Sequence, residues 1–149
     1  LERAVETAEI LKKELCLAKD DLTIDDRLIE SDVSKWQGTN LDEYKKNIVF
    51  KIDHKNHHEY ELINKAGERV LSVLNGPVLE SGEDTIVVSH GDPLVGVLIN
   101  ITGDWSFVAH NSLKRKYIQK AEFVELEYKN GWKITNYSYN FNDLKKSVL

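Results

Sequence analysis

The 149-residue sequence has no methionine, two prolines and a single cysteine, Cys16. One cysteine excludes an intrachain disulfide bond, and this fits a reducing compartment, so we expect a cytoplasmic protein. We expect Cys16 itself to be a small, buried hydrophobic side chain within a helix. No apolar run approaches the roughly 20 residues that a membrane-spanning helix needs, so we expect no membrane partner.

The sequence also lacks a basic field. Its formal net charge is −5 and its pI is about 5.6, which argues against a nucleic-acid partner. The four arginines are scattered along the chain, at Arg3, Arg27, Arg69 and Arg115. The length suits one domain with its own core, which we place at residues 1–137, followed by a polar tail at 138–149.

Apolar spacing predicts helices and one buried strand. Residues 1–19 and 57–74 carry apolar side chains three and four apart, which predicts two amphipathic helices. Asn75-Gly76-Pro77 is a typical stop for the second helix. The β-branched run at residues 85–89 predicts a strand buried on both faces of a parallel sheet, and residues 94–101 predict a third helix.

The C-terminal third predicts a β-hairpin. Residues 121–128 and 132–137 alternate as strands do, and the Asn130-Gly131 pair between them favours a tight turn. Together with the helices and the buried strand, this order of elements indicates an α/β fold with an antiparallel edge.

His90 and Gly91 follow the predicted buried strand and precede a predicted helix. That position is the carboxyl edge of the sheet, where open α/β folds bind their ligands. Gly91 lets backbone approach closely, and the N–H groups at the helix start favour an anion such as a phosphoryl group. Taken alone, the pattern fits a structural histidine equally well.

Two further motifs carry a family resemblance. Residues 1–8 (LERAVETA) are similar to the signature S-P-L-x-R-A-x-x-T-A, entered after its Ser-Pro, which aligns Arg3 with the signature arginine. Residues 27–38 are similar to R-L-x-E-x-x-x-G-x-x-Q-G, with Glu30 as its glutamate and Ser34 at its first glycine. With the strand-His-Gly segment, these motifs resemble the histidine phosphatase (phosphoglycerate-mutase-like) superfamily.

The resemblance implies both an architecture and a site. The fold is expected to be a three-layer α/β sandwich with a mostly parallel sheet, helices on both faces and an antiparallel C-terminal edge hairpin. Arg3, His90 and Gly91 are expected to bind phosphate, with His90 also catalytic and Glu30 donating a proton to the leaving oxygen. The family needs no metal or cofactor, and its implied partner is a phosphorylated small-molecule substrate. Phosphatase and mutase chemistry both remain open, and the motifs carry no signal for an oligomeric state.

Two other groups of residues have weaker readings. Glu61 and Arg69 match a looser family pattern, G-E-S…R, and we expect them at a helix surface or pocket rim rather than in catalysis. His54 and His58 are four apart, but we expect a solvated loop and helix start there rather than a metal site.

The family's nucleophilic histidine, in an Arg-His-Gly motif, is absent from these 149 residues. We expect the nucleophile and the first central strand to lie upstream, so that the chain is a truncated phosphoryl-transfer domain that is inactive alone. The alternative is an inactive family member that serves as a phosphate-ligand binding or interaction module.

Overall fold

The computed structural model describes residues 2–34, 38–40, 43, 61–108, 118 and 120–138. Three helices of more than ten residues and one antiparallel strand pair form its longer elements: α1 (Glu2–Glu14), α2 (Ile63–Val73), α3 (Gly91–Thr102), β1 (Phe123–Tyr128) and β2 (Trp132–Ser138). Shorter helical segments occupy Lys19–Asp21, Asp26–Leu28, Leu74–Val78, Leu79–Ser81 and Trp105–Val108. No helix in the described ranges is long and apolar enough to cross a membrane.

Helices α2 and α3 form the centre of the fold and cross at two glycines. A Cβ atom on Gly67 would lie 2.1 Å from the carbonyl carbon of Gly96, and one on Gly96 would lie 2.1 Å from the carbonyl oxygen of Ile63. Only glycine permits backbones to approach this closely. Around the crossing, Val70, Val95 and Leu98 are almost completely buried. This contact fixes where the helix that begins after His90 lies relative to α2.

Helix α1 is shorter than the expected helix at residues 1–19. It ends at Glu14 because Cys16 adopts a left-handed conformation (φ 56°), with Leu17 N donating to Lys12 O at 3.0 Å and Cys16 N to Lys13 O at 3.2 Å. These two hydrogen bonds are those of a Schellman C-cap. The expectation of a buried Cys16 is wrong, because the residue is exposed at this cap.

Helix α2 begins at Ile63, six residues later than expected, since Glu61 and Leu62 are not helical. The predicted stop at Asn75-Gly76-Pro77 is instead a kink. Helical structure continues through Leu74–Val78 and Leu79–Ser81, while Gly76 takes non-helical angles (φ −105°, ψ −107°). Gly82, with φ 67°, then ends the segment.

The predicted strand at residues 85–89 has no strand assignment. A strand requires a hydrogen-bonded neighbour, and β1 and β2, the strands of the described ranges, pair with each other. Val87 packs against Val70, Leu74 and Val97, whereas Ile86 is 36% exposed, so burial on both faces is also wrong. The described residues contain no parallel strand pair, and the three-layer sandwich stays a prediction.

Helix α3 starts at Gly91, three residues before the predicted start, because His90 is already extended (φ −121°, ψ 165°) and acts as its N-cap residue. It ends at Thr102, where Gly103 takes a left-handed conformation and donates its N–H to Ile99 O at 2.7 Å. His90 is therefore held directly at the N-terminus of the most apolar helix.

The β-hairpin is confirmed. β1 pairs antiparallel with β2 from Phe123↔Ser138 to Tyr128↔Trp132, with a bulge after Glu125. Residues 129–131 form its loop, in which Asn130 and Gly131 both have positive φ, as the Asn-Gly pair favours. Val124, Leu126, Ile134 and Tyr137 pack against the core of Ile63, Val95, Leu98 and Ile99. The structure thus combines helices with an antiparallel sheet.

Candidate functional site

Three separate parts of the chain meet at the Glu30 carboxylate. Arg3 Nη2, from the first turn of α1, donates to Glu30 Oε2 at 3.2 Å. His90 Nδ1, at the start of α3, lies 3.7 Å from the same oxygen. The latter distance is too long for a hydrogen bond, so it is a contact between an imidazole edge and a carboxylate. The side chains expected to carry the chemistry therefore surround one point.

Their exposure differs sharply. The Arg3 side chain is 65% exposed, that of Glu30 is 30% exposed and that of His90 only 4% exposed. His90 Nε2 is buried and has no hydrogen-bond partner among the described residues. Leaving a buried polar atom unpaired costs about 1–3 kcal/mol, so a ligand group that hydrogen-bonds there is favoured.

The site lowers the pKa of His90 to about 4. Burial is the largest cause, because it penalises the charged imidazolium, and the positive charges of Arg3 and Arg69 act in the same direction. At neutral pH the imidazole is therefore uncharged, and it can hydrogen-bond an oxygen without being locked in an ion pair with Glu30.

Gly91, the third residue expected to bind phosphate, is the first residue of α3. The first N–H groups of a helix have no intrahelical acceptor, and the helix dipole places partial positive charge there. Gly91 thus brings a backbone donor to the end of the fold that holds His90, although no described contact joins it to Arg3 or Glu30.

The turn that carries Glu30 is anchored to α3 by residues that the motifs did not indicate. Ser31 Oγ donates to Asp92 Oδ2 at 3.2 Å, and both side chains are buried. Ser89 Oγ donates to Leu28 O at 2.8 Å, which joins the residue before His90 to the residue two before Glu30. The sequence signal for Asp92 is its place as an acidic residue in the first turn of a helix, beside the positive end of the helix dipole. That place does not show that Asp92 pairs with Ser31, 61 residues away.

Arg69 and Glu61, for which we expect a helix surface or pocket rim rather than a catalytic role, bond to each other. Arg69 Nε donates to Glu61 Oε1 at 3.0 Å and Nη2 to Oε2 at 2.8 Å, with both side chains about one-fifth exposed. The same guanidinium donates from Nη1 to Arg27 O at 2.5 Å and to Ile29 O at 3.1 Å. The pair therefore joins α2 to the turn before Glu30 and does not face solvent as a simple surface ion pair.

Ser34, at the position of the family's first glycine, adopts a left-handed conformation with φ 41°. Asp32 supports it by accepting from Ser34 N at 2.7 Å and from Ser34 Oγ at 3.0 Å. The local backbone thus keeps a conformation that favours glycine, with an aspartate side chain stabilising it. Trp36, Gln37 and the histidines at 54, 57, 58 and 110 lie outside the described residues.

A cation, a neutral hydrogen-bonding imidazole and a helix N-terminus favour the binding of a tetrahedral anion, and a carboxyl group beside them can carry a proton. The family model for the histidine phosphatase superfamily (branch 1) matches residues 1–140, which is most of the chain. No curated protein and no solved structure matches the chain significantly.

Proposed function

Because the chain belongs to the histidine phosphatase superfamily (branch 1), we propose that it binds the phosphoryl group of a phosphorylated small molecule and stabilises its transfer through a phosphohistidine. The observation that supports this most strongly is the convergence of Arg3 and His90 on one oxygen of Glu30.

The nucleophile is a histidine outside these residues, since no Arg-His-Gly occurs in the sequence. Its imidazole nitrogen attacks phosphorus, the N–P bond forms and the bond to the leaving oxygen breaks. Glu30 donates its proton to that oxygen. The oxygen of water, or of a second acceptor hydroxyl, then attacks phosphorus. A new O–P bond forms, the N–P bond breaks and the proton of the attacking oxygen returns to Glu30, so that hydrolysis and mutase transfer use the same groups.

Arg3 and His90 stabilise the transferring oxygens. An exposed ion pair is worth less than about 1 kcal/mol, so Arg3 can leave Glu30 for a phosphoryl oxygen at little cost. A dianion beside Glu30 in turn favours the protonated carboxyl, because like charges repel, and protonation is what a proton donor needs. His90 Nε2 and the Gly91 N–H supply neutral contacts to the same group.

Inorganic phosphate binding tests this arrangement. We expect Arg3→Ala to weaken phosphate affinity by about tenfold or more, because a guanidinium–phosphate contact is charge-assisted, while lowering the free energy of unfolding by less than about 1 kcal/mol. Isothermal titration calorimetry and urea unfolding measure the two effects.

Lys13→Ala is the matched control, because it removes one positive charge from the same helix, in its last turn. It should leave phosphate affinity within about twofold of the unaltered chain, since an exposed charge this far away is screened by solvent. Equal losses in the two variants would show a general charge effect and contradict the proposal.

The alternative is an inactive member of the family that binds a phosphate ligand without turning it over. It rests on the missing Arg-His-Gly motif, whereas the retained carboxyl group of Glu30 beside the anion-binding groups favours the enzyme. Turnover of a phosphate ester by the protein with an upstream Arg-His-Gly segment supports the enzyme. Binding of a phosphate ligand with no turnover supports the inactive binding module.

A further inference from the structure

The Arg69 guanidinium is almost fully used by contacts within the protein. Of its five N–H donors, Nε and one Nη2 hydrogen hold the two oxygens of Glu61, and the two Nη1 hydrogens hold the carbonyl oxygens of Arg27 and Ile29. Four of five donors are therefore occupied. A guanidinium with four occupied donors cannot bind a phosphoryl group through a pair of parallel hydrogen bonds. The contacts of Arg69 therefore indicate a role in holding the protein backbone and Glu61.

Glu61 fixes the other side of the same turn. Its backbone N–H donates to Asp32 O at 2.8 Å, and its Oε2 accepts from Asp32 N at 3.3 Å. Arg69 holds the residues one and three before Glu30, and Glu61 holds the residue two after it. The two residues, which we call the Arg69–Glu61 clamp, thus bracket Glu30 from both directions.

We propose that Arg69, acting with Glu61, is a positioning residue that sets where the Glu30 carboxylate lies relative to Arg3 and His90. This inference rests on the proposed function and adds the group that holds its proton donor. The turn around Glu30 has neither a helix nor a sheet ladder to fix its backbone after Leu28. The clamp supplies these hydrogen bonds instead.

The geometry demands an arginine. Its planar fork satisfies a carboxylate through two parallel hydrogen bonds and still directs a third nitrogen at two carbonyl oxygens. A lysine has the same charge but three donors on a single atom, so it cannot hold all three groups. Displacement of a catalytic group by about 1 Å can lower the rate about a hundredfold. The contacts that fix the position of the Glu30 carboxylate are therefore expected to affect the rate strongly.

Sulfate is a suitable probe because it is a tetrahedral dianion that does not titrate near neutral pH. The titratable and charged groups near Glu30 are Arg3 from α1, His90 just before α3, Asp92 from α3, and the clamp from the α2 side. If Glu30 lies beside the bound dianion, it takes up a proton on binding, and sulfate affinity rises as pH falls. Glu30→Gln removes that part of the pH dependence and leaves the part due to the other groups.

The experiment compares sulfate affinity at about pH 5.5 and about pH 8 by calorimetry. We expect the ratio of the sulfate affinity at about pH 5.5 to that at about pH 8 to be at least about threefold larger in the unaltered chain than in Glu30→Gln, because the bound dianion favours the protonated Glu30 carboxyl. In Arg69→Lys the ratio should fall to about the Glu30→Gln value, although the charge is retained, and Glu30→Gln combined with Arg69→Lys should lower it no further.

Lys65→Met is the matched control, because Lys65 lies on the same helix in an exposed ion pair with Glu68 at 2.7 Å. It should keep the ratio of the unaltered chain. If Arg69→Lys does not fold, Glu61→Gln tests the same clamp by removing one charge of the pair, with the same expected fall. A full pH ratio in folded Arg69→Lys or Glu61→Gln would overturn the inference while leaving anion binding intact, whereas absence of sulfate and phosphate binding by the unaltered chain would overturn the proposed function as well.

Discussion

At the scale of single residues, His90 combines burial with a ring nitrogen that lacks a hydrogen-bond partner among the described residues. Its side chain is 4% exposed, which removes the imidazole from water, and that nitrogen is Nε2. Such a group destabilises the protein, and this cost is offset when a ligand supplies the missing hydrogen bond. Glu30 and Arg3, which are more exposed, can exchange partners at little cost.

The lowered pKa of His90 predicts how stability depends on pH. The pKa is about 4 in the folded protein and about 6.5 in the unfolded chain, so between these values the unfolded chain binds more protons. The contribution of neutral His90 is complete above about pH 6.5 and is lost as pH falls toward 4. We expect a loss of up to about 3 kcal/mol, at about 1.4 kcal/mol per pKa unit, measured by urea unfolding.

His90→Gln, which does not titrate, should lack this part of the pH dependence. Asp25 also has a lowered pKa, through its hydrogen bonds from Arg27, but its contribution is lost only below the usual aspartate range near 3.8 and does not overlap. If unfolding free energies of the two proteins fell in parallel between about pH 6.5 and 4, His90 would not be the buried, neutral group described here.

At the scale of elements, two glycines decide how closely the helices approach, and thereby where the site lies. α2 carries Arg69 and α3 follows His90, so the crossing at Gly67 and Gly96 sets the distance between the clamp and the imidazole. A Cβ at Gly67 would meet backbone atoms at 2.1 to 2.5 Å, and backbone cannot rotate away as a side chain can.

Gly67→Ala is therefore expected to lower the free energy of unfolding by about 3 kcal/mol or more, because the helices must separate and their packing is lost. Gly82→Ala is the comparison, since a Cβ there meets nothing within 4 Å and only the left-handed backbone (φ 67°) costs about 1 kcal/mol. Denaturant unfolding of both variants measures the difference. A Gly67→Ala loss no larger than that of Gly82→Ala would refute the close crossing.

Sequence patterns foresaw the elements better than their ends. The hairpin and the helix after His90 follow from local turn chemistry and apolar content, and the structure contains both. The end of α1 could not be predicted in this way. It depends on the left-handed conformation of Cys16, and cysteine is not a residue type that favours this conformation. The strand expected at 85–89 depends on pairing with another segment, which no local pattern supplies.

The candidate site, like the fold, could be predicted only in part from the sequence. Motif spacing singled out Arg3, Glu30, His90 and Gly91, and the structure brings the first three to one carboxylate oxygen. Their roles stay predictions. The supporting contacts of Ser31, Ser89, Asp92 and the Arg69–Glu61 clamp were not foreseen, since each joins residues far apart in sequence through a geometry that only the fold creates.

At the scale of the whole molecule, one region of the described fold brings together the groups that we propose to bind a phosphoryl group. The N-terminus of α3, the first turn of α1 and the turn at residues 27–32 meet there, while the hairpin packs on the core through Val124, Leu126 and Ile134. The family match over residues 1–140 spans both regions. The single domain at 1–137 and the mostly parallel sheet remain predictions, and the tail beyond 138 lies outside the described residues.

The most direct test of the central claim is a titration of the ¹⁵N-labelled chain with inorganic phosphate, observed at the ring nitrogens of His90 and assigned with His90→Gln. We expect the Nε2 signal of His90 and the amide signal of Gly91 to move together and to saturate, because phosphate fills the position that Nε2 leaves without a partner. Arg3→Ala should shift that saturation to higher phosphate concentration. Phosphate that saturates elsewhere while the His90 signals stay fixed would contradict an anion site built from Arg3, Glu30 and His90.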